Sequence, residues 1–163
     1  MECRRFSQQD QMAFAKLSGD FNPSHVDAVY ARRLLFGAQV VHGIHSLLWG
    51  LDCVFKNRAE PLEIRTLNAN FPRPIRVGEE AELVVKEAGE KHVLFELRCG
   101  DSVATVAKAE VGPAGRQDGG GPKNAFPPDQ APLTMTEDEM RTCSGSLELH
   151  LAVSAAVDLF PHL

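Results

Sequence analysis

The most constraining feature of the sequence is an apolar segment of helical periodicity, residues 38–55. Apolar residues recur in it at intervals of three and four, with further apolar residues between them: Val40, Val41, Ile44, Leu47, Leu48, Leu51, Val54 and Phe55. This pattern predicts a helix that is buried on most of its sides. Gly43 and Gly50 share one face of it, although each glycine costs a helix about 1 kcal/mol relative to alanine. We therefore expect another part of the chain to approach that face closely.

From Leu62 onward the periodicity changes to two, which is typical of β-strands. After a first strand and a proline-containing connection, three further strands are predicted, at 81–88, 91–99 and 102–111. Short glycine-containing turns separate these three strands, which favours an antiparallel meander. One apolar helix followed by such a sheet predicts an α+β domain in which the sheet wraps around the helix.

Two shorter helices are predicted before the apolar segment. Ser7 and Asp10 form an S-x-x-D capping pattern followed by good helix formers, and Gly19 is placed to end the first helix. A second helix is expected over residues 26–34, closed by Gly37.

The composition divides the chain into a domain over residues 1–112, a linker over 113–133 and a C-terminal segment over 134–163. The linker is rich in glycine and proline and has little to bury, which is typical of a flexible connection. The last segment becomes apolar towards its end. It is interpreted either as the start of a further domain of a longer chain or as a helix that packs on the first domain.

The charge and the cysteines exclude several classes of function. A net charge of -5 without a basic cluster argues against a nucleic-acid partner. No apolar run reaches the ~18 residues of a membrane span, and the N-terminus lacks the apolar core of a signal peptide. The cysteines have no C-x-x-C spacing, and no nucleotide-binding or metal-binding motif is present. We expect a cytoplasmic protein without a metal or another cofactor.

The stretch LSGDFNPSH, residues 17–25, places an acid and a histidine on one short turn. Turn-forming residues surround Asp20, so a surface loop is one interpretation of this stretch, with Asp20 as a cap and His25 as a loop histidine. The other interpretation is that the turn holds Asp20 and His25 together to transfer a proton. A histidine titrates near neutral pH, and a neighbouring carboxylate orients its ring.

Two motifs resemble the signature of a known family. LSGDFNPSHVDAVYA followed by FGAQVVHGIHSLL is similar to the S-G-D-x-N-P-x-H turn and the F-G-x-x-V-H-G segment of the MaoC-like hydratases, which include the (R)-specific enoyl-CoA hydratases. NANFPRPIRVGEEAEL resembles a further stretch of that family, and the resemblance covers about residues 6–111. It implies a hot-dog fold, in which a curved antiparallel sheet wraps around a long central helix. It also implies a homodimer or paired hot-dog domains.

The resemblance implies a hydratase or dehydratase that interconverts 2-enoyl and (R)-3-hydroxyacyl thioesters of CoA or of acyl-carrier protein. Asp20 and His25 would activate water and exchange a proton with the substrate. The backbone N–H of Gly43 would stabilise the charge on the thioester oxygen, since it lies near the start of the apolar helix. The alternative explanation of Gly43 is that a glycine is needed there only for close packing of the helix.

Five further residues are candidates for the substrate site. Asn22 is expected to shape the loop, with a substrate contact as the alternative, and His42 is expected to be either a packed residue or a participant in the site. The substrate-binding candidates are Asn22, Ser24, Val40, Val41 and His42. Ser24 departs from the family, which usually carries an aliphatic residue there.

Two other functions remain open at this stage. A non-catalytic hot-dog domain would bind an acyl chain or dimerise within a larger enzyme. A hot-dog thioesterase would share the scaffold but would not need the Asp20–His25 turn. Replacing Asp20 by alanine separates these classes, because a scaffold would not lose its function.

Overall fold

The capping signals at the start of the chain and the change of periodicity after the long helix are both visible in the computed structural model, which describes residues 2–56, 58, 62–113 and 153–163. The elements in chain order are β1 (Glu2–Arg5), α1 (Gln8–Ser18), α2 (Pro23–Val26), α3 (Ala28–Ala31), α4 (Gly43–Phe55), β2 (Leu62–Asn70), β3 (Glu80–Ala88), β4 (His92–Cys99), β5 (Ser102–Pro113) and α5 (Val153–Leu159).

The five strands form one antiparallel sheet in the order β1-β3-β4-β5-β2. The predicted meander is confirmed, because β3, β4 and β5 are neighbours in sequence order. β2 pairs with β5 at one edge, from Leu62 opposite Pro113 to Asn70 opposite Val106. β1, at the other edge, was not predicted, because a strand of four residues is too short for its alternation to be recognised.

Helix α4 packs against this sheet and is the centre of the hydrophobic core. Gly50 lies on the face that meets β4, where a Cβ atom would come within 2.5 Å of the Phe95 ring. The Phe95 side chain is fully buried and cannot move aside. The expected close approach to the glycine face is therefore present, and the helix-and-sheet arrangement is the predicted hot-dog fold.

The start of the long helix was predicted wrongly, since α4 begins at Gly43 rather than at residue 38. Residues 39–41 are extended and pair with residues 75–77: Val40 forms a bridge with Arg76, and the Val41 N–H donates to the Ile75 carbonyl at 2.8 Å. The two adjacent valines fit a strand as well as a helix, so their periodicity did not separate the two structures.

The helix predicted over residues 26–34 is also wrong in its extent. The chain forms two single turns, α2 and α3, separated by Asp27 in an extended conformation. The Asp27 carboxylate accepts hydrogen bonds from the Val29 and Tyr30 N–H groups at 2.8 and 2.9 Å. An aspartate in this conformation caps a new helix instead of continuing the previous one.

Helix α1 begins and ends as its sequence predicts. The Asp10 carboxylate accepts a hydrogen bond from the Ser7 N–H at 2.7 Å, and the Ser7 hydroxyl accepts one from the Asp10 N–H at 3.1 Å. Gly19 ends the helix in the left-handed conformation, with φ at 76°, and its N–H donates to the Ala15 carbonyl. This ending turns the chain directly into the loop that carries Asp20.

The C-terminal residues pack on the domain formed by the sheet and α4. Phe160, which follows α5, is buried against Phe14 and His45. The His162 N–H donates to the Asp52 carboxylate on α4 at 2.6 Å. Phe160 and His162 thus contact α1 and α4. The predicted linker lies outside the described residues except for Pro113, and the division of the chain into domains stays a prediction.

No helix within the described ranges has both the length and the apolar composition that crossing a membrane requires.

His45 lies in an aromatic cage inside this core. Its ring stacks on Phe14 at 4.7 Å between centroids and meets Phe6 edge-on at 5.0 Å. Neither ring nitrogen has a hydrogen-bond partner within the described part of the chain. Burial lowers the pKa of His45 to about 3, and the nearby Arg4 charge acts in the same direction.

We predict that His45 makes the protein less stable as the pH falls. The unfolded chain protonates His45 near pH 6.5 and the folded protein only near pH 3, so unfolding takes up a proton between these values. The free energy of unfolding therefore falls from pH 6.5 downwards, by about 2 kcal/mol at pH 5 from this residue. Urea unfolding of the wild type and His45→Leu at pH 7.5 and pH 5 measures this loss. The variant should lose less stability, and equal losses would contradict the prediction.

Candidate active site

The loop between α1 and α2 is organised by its own hydrogen bonds. The Asp20 carboxylate accepts from the Asn22 N–H at 3.1 Å. The Asn22 side-chain oxygen accepts from the Ser24 N–H at 3.0 Å and from the Ser24 hydroxyl at 2.8 Å. Pro23 occupies the first turn of α2, where its fixed φ suits the start of a helix. The polar residues of the motif therefore fix the path of the backbone from Asp20 to His25.

His25 faces the Asp20 carboxylate across a short gap. The His25 Nδ1 atom is 2.9 Å from the Val40 carbonyl oxygen, an acceptor, so this nitrogen carries the proton in the neutral ring. The Nε2 atom is then an acceptor, and it is 4.0 Å from Asp20 Oδ2. This distance exceeds a direct hydrogen bond and allows one water molecule to bond to both groups. The ring is mostly buried and the carboxylate is half exposed.

His42 lies beneath this pair and is almost completely buried. Its ring stacks on the His25 ring, with centroids 4.0 Å apart. The His42 Nε2 atom is 2.9 Å from the Asp20 carbonyl oxygen, and Nδ1 is 2.9 Å from the Gln11 side-chain oxygen. Burial lowers the pKa of His42; the hydrogen bond to the Asp20 carbonyl opposes this effect, and the His25 charge adds to it.

Asp20, His25 and His42 are also the residues that could hold a metal ion. Their ligand atoms all lie within 4.8 Å of one another. An aspartate with two histidines is a donor set that suits zinc. The sequence predicted no metal here, and that stays a prediction.

An apolar cleft opens beside His25 and the first turn of α4. It has a volume of about 230 Å³. The residues that line it are His25, Phe36, Val40, Val41, Gly43, Ser46, Phe71, Arg73, Pro74, Ile75 and Thr105. The cleft therefore joins His25 to an apolar space.

Gly43 is the first residue of α4 and forms part of the cleft wall. The N–H of a first helical residue has no acceptor within its own helix, and it lies at the positive end of the helix dipole. A Cβ atom at this position would come within 3.2 Å of the Phe71 ring. The absence of a side chain thus leaves the N–H accessible to a polar atom in the cleft.

The structure brings most of the predicted site residues together. Asp20, His25 and His42 form one cluster, and Val40, Val41 and Gly43 line the adjoining cleft with His25. Asn22 and Ser24 are not among the residues that line this cleft, and their side chains bond to each other. The catalytic and substrate-binding roles of these residues stay predictions.

Gln11 and Phe71 contribute to the site and were not predicted. Gln11 is fully buried on α1; its side-chain oxygen accepts the His42 backbone N–H and lies 2.9 Å from His42 Nδ1. The only signal in the sequence is its spacing, since Gln11 shares the buried face of α1 with Phe14 and Ala15. Phe71 follows β2 and covers Gly43, a contact between distant segments that the local sequence does not indicate.

A family model described as "MaoC like domain" matches residues 2–109. The chain belongs to this family. It is 28% identical over 114 residues to an (R)-specific enoyl-CoA hydratase of Rhodospirillum rubrum, covering 66% of this chain and 78% of the relative. It is 30% identical over 88 residues to a 3-hydroxybutyryl-CoA dehydratase of Methylorubrum extorquens, covering 52% of this chain and 55% of the relative.

Among solved structures, the (R)-hydratase from A. caviae involved in PHA biosynthesis superposes with a TM-score of 0.52 at 26% identity. The match covers 69% of this chain and 92% of that structure. The chain covers less than two thirds of several curated relatives, since the matched region spans 8%, 26% and 55% of the lengths of three of them. The chain shares its fold and family with these proteins, and the relatives also contain sequence outside the matched region.

Proposed function

We propose that the protein is a hydratase or dehydratase that interconverts 2-enoyl and (R)-3-hydroxyacyl thioesters. The observation that carries this proposal is the 4.0 Å gap between Asp20 Oδ2 and His25 Nε2, next to an apolar cleft that also contains Gly43. Hydration of an enoyl thioester needs an acid–base pair at a water molecule and a donor at the thioester oxygen. The names of the R. rubrum and M. extorquens relatives support the same reaction.

In the hydration direction, a water molecule would bond to Asp20 Oδ2 and His25 Nε2. As the water oxygen bonds to C3 of the substrate, the pair accepts one of its protons and delivers a proton to C2. The C2–C3 double bond is lost, and the product is a 3-hydroxyacyl thioester. Dehydration follows the same steps in reverse. The hydrogen bond from His25 Nδ1 to the Val40 carbonyl keeps Nε2 available as the base.

Negative charge develops on the thioester oxygen when the water oxygen bonds to C3. The Gly43 N–H at the start of α4 would donate a hydrogen bond to this oxygen, assisted by the positive end of the helix dipole. The apolar cleft residues Val40, Val41 and Ile75 would contact the acyl chain. CoA and acyl-carrier protein both remain carriers in this proposal, and we expect a cytoplasmic location.

The two other functions predict different requirements. A scaffold that binds acyl chains would use the apolar cleft but not the Asp20–His25 pair. A thioesterase would use the Gly43 N–H to bind the thioester carbonyl, and it would release a free thiol. Neither function explains why the Val40 carbonyl holds the His25 ring with Nε2 facing the Asp20 carboxylate.

Replacing either member of the pair should abolish most of the activity. We expect Asp20→Asn and His25→Ala to lower kcat for crotonyl-CoA hydration by about 100- to 10,000-fold, because each removes one acid–base group. The assay follows the loss of enoyl absorbance, and circular dichroism confirms that the variants fold. Asp27→Asn is the matched control, since asparagine also caps α3 and Asp27 lies outside the pair.

An unchanged rate in either folded variant would contradict the assignment of that residue. If the wild type is inactive on crotonyl-CoA and on carrier-linked enoyl and 3-hydroxyacyl substrates, the scaffold hypothesis replaces the proposal. Thiol release from a thioester substrate would favour the thioesterase.

A methyl group at position 43 should block the oxyanion contact without unfolding the protein. The Cβ atom of Gly43→Ala would press on the Phe71 ring, which is 41% exposed and can shift. We expect kcat/KM to fall about 100-fold, since a displacement of about 1 Å from a donor has that effect. Gly89→Ala is the control, because its Cβ would make only ordinary contacts. A wild-type kcat/KM in Gly43→Ala would show that the Gly43 N–H is not required.

We also propose that two copies pair through the β2 edge of the sheet. β2 is the last strand in the sheet order, and most of its residues are exposed. Exposed apolar residues lie on or near this edge, among them Leu67 and Phe71. A second copy would cover these residues and close the cleft. The exposed apolar residues on the β2 edge support the dimer that the sequence resemblance implies.

A charged residue on β2 should weaken such a dimer. Light scattering should give about twice the chain mass of 17.8 kDa for the wild type and a lower mass for Leu67→Lys at low concentration. The reason is that burying an unpaired ammonium group in an interface is costly. Val85→Lys on β3 is the control, because Val85 is exposed to a similar extent away from β2. A monomeric wild type would contradict the proposal.

A further inference from the structure

The buried His42 ring connects the segments that carry the proposed catalytic groups. His42 is the residue before α4 and is 2% exposed. It contacts Gln11 on α1, Asp20 in the loop and His25 on α2. The next residue is Gly43, so a displacement of the His42 backbone also displaces the proposed oxyanion donor.

The bond to Asp20 is the contact that controls the carboxylate. The His42 Nε2 atom lies 2.9 Å from the Asp20 carbonyl oxygen and 4.0 Å from Asp20 Oδ2. With a proton on Nε2, His42 donates to this carbonyl and fixes the backbone from which the carboxylate projects. The Gln11 side-chain oxygen also accepts the His42 N–H at 3.1 Å. This bond from the His42 backbone holds the residue in place whichever ring nitrogen carries the proton.

Stacking positions the other member of the pair. The His25 and His42 rings are 4.0 Å apart and inclined by 25°. The His25 ring is thus held at two places: the buried His42 ring packs on its face, and the Val40 carbonyl bonds to Nδ1 at its edge. His42 is not among the residues that line the cleft, so its effect on a substrate passes through Asp20 and His25.

We infer that His42 is a positioning residue, which sets the separation of the Asp20 carboxylate and the His25 imidazole by donating to the Asp20 carbonyl and stacking beneath His25. The inference rests on the proposed hydratase function. It assigns His42 no contact with substrate and no transfer of a proton.

Three substitutions separate the hydrogen bond from the packing. The amide nitrogen of glutamine reaches the place of Nε2, while that of asparagine reaches only the place of Nδ1. His42→Gln keeps the bond to Asp20, His42→Asn loses it, and His42→Phe loses it but retains a ring beneath His25. We expect kcat for crotonyl-CoA hydration to fall about 100-fold in the asparagine and phenylalanine variants and less than about tenfold in His42→Gln. KM should change less than about threefold in all of them.

His45→Leu is the matched control, because His45 lies three residues further along, is equally buried and makes no contact with Asp20 in the described structure. It should retain the wild-type kcat. His42→Phe supplies the comparison if His42→Asn does not fold, as judged by circular dichroism and thermal melting. A wild-type kcat in the folded asparagine or phenylalanine variant overturns the inference. An equal loss in all three variants also overturns it, because the Asp20 bond would then not be the cause.

An inactive wild type has a different meaning. It would overturn the proposed function and this inference with it. Activity in the wild type with no preference for glutamine at position 42 would overturn only the inference about His42.

Discussion

The contact between Gly50 on α4 and the Phe95 ring on β4 determines how deep the central helix lies in the sheet. Only a glycine permits this approach, because any Cβ atom would overlap a ring that is fully buried. The depth of the helix in turn fixes where its first residue, Gly43, meets the chain after β2. There Phe71 covers Gly43 and one wall of the cleft forms. A packing constraint seven residues inside the helix thus places the proposed oxyanion donor.

The other wall of the cleft depends on the extended segment before α4, residues 39–41. The Val41 N–H donates to the Ile75 carbonyl, and the Val40 carbonyl holds His25 Nδ1. Because residues 39–41 are paired with residues 75–77, this carbonyl is held on ordered backbone. The His25 ring is therefore oriented by the segment before α4, whereas Asp20 is oriented by its own loop and by His42. The proposed acid–base pair, Asp20 and His25, lies where these two parts of the fold meet.

Local signals in the sequence predicted the features that depend on local physics. The Ser7–Asp10 capping box, the end of α1 at Gly19 and the strands β3 to β5 all follow from residues close together in the chain. The start of α4 and the separation of α2 from α3 were predicted wrongly. In the first case the pairing of Val40 and Val41 with residues 75–77 overrides the helical pattern, and in the second Asp27 caps a new turn. The hydrogen bond from the His42 backbone N–H to the Gln11 side-chain oxygen spans 31 positions and has no local signal.

Polar groups are buried beneath the loop that carries Asp20, and this burial has a cost in stability. The Gln11 amide nitrogen has no hydrogen-bond partner within the described residues, and leaving such a buried donor unpaired costs about 1–3 kcal/mol. Apolar residues at positions 11 and 42 would fill the same space without this cost. A domain that only bound an acyl chain would gain stability from that exchange. In the proposed hydratase the same exchange would remove the support of the Asp20 carbonyl and the His25 ring, whose fixed separation the proposed mechanism requires.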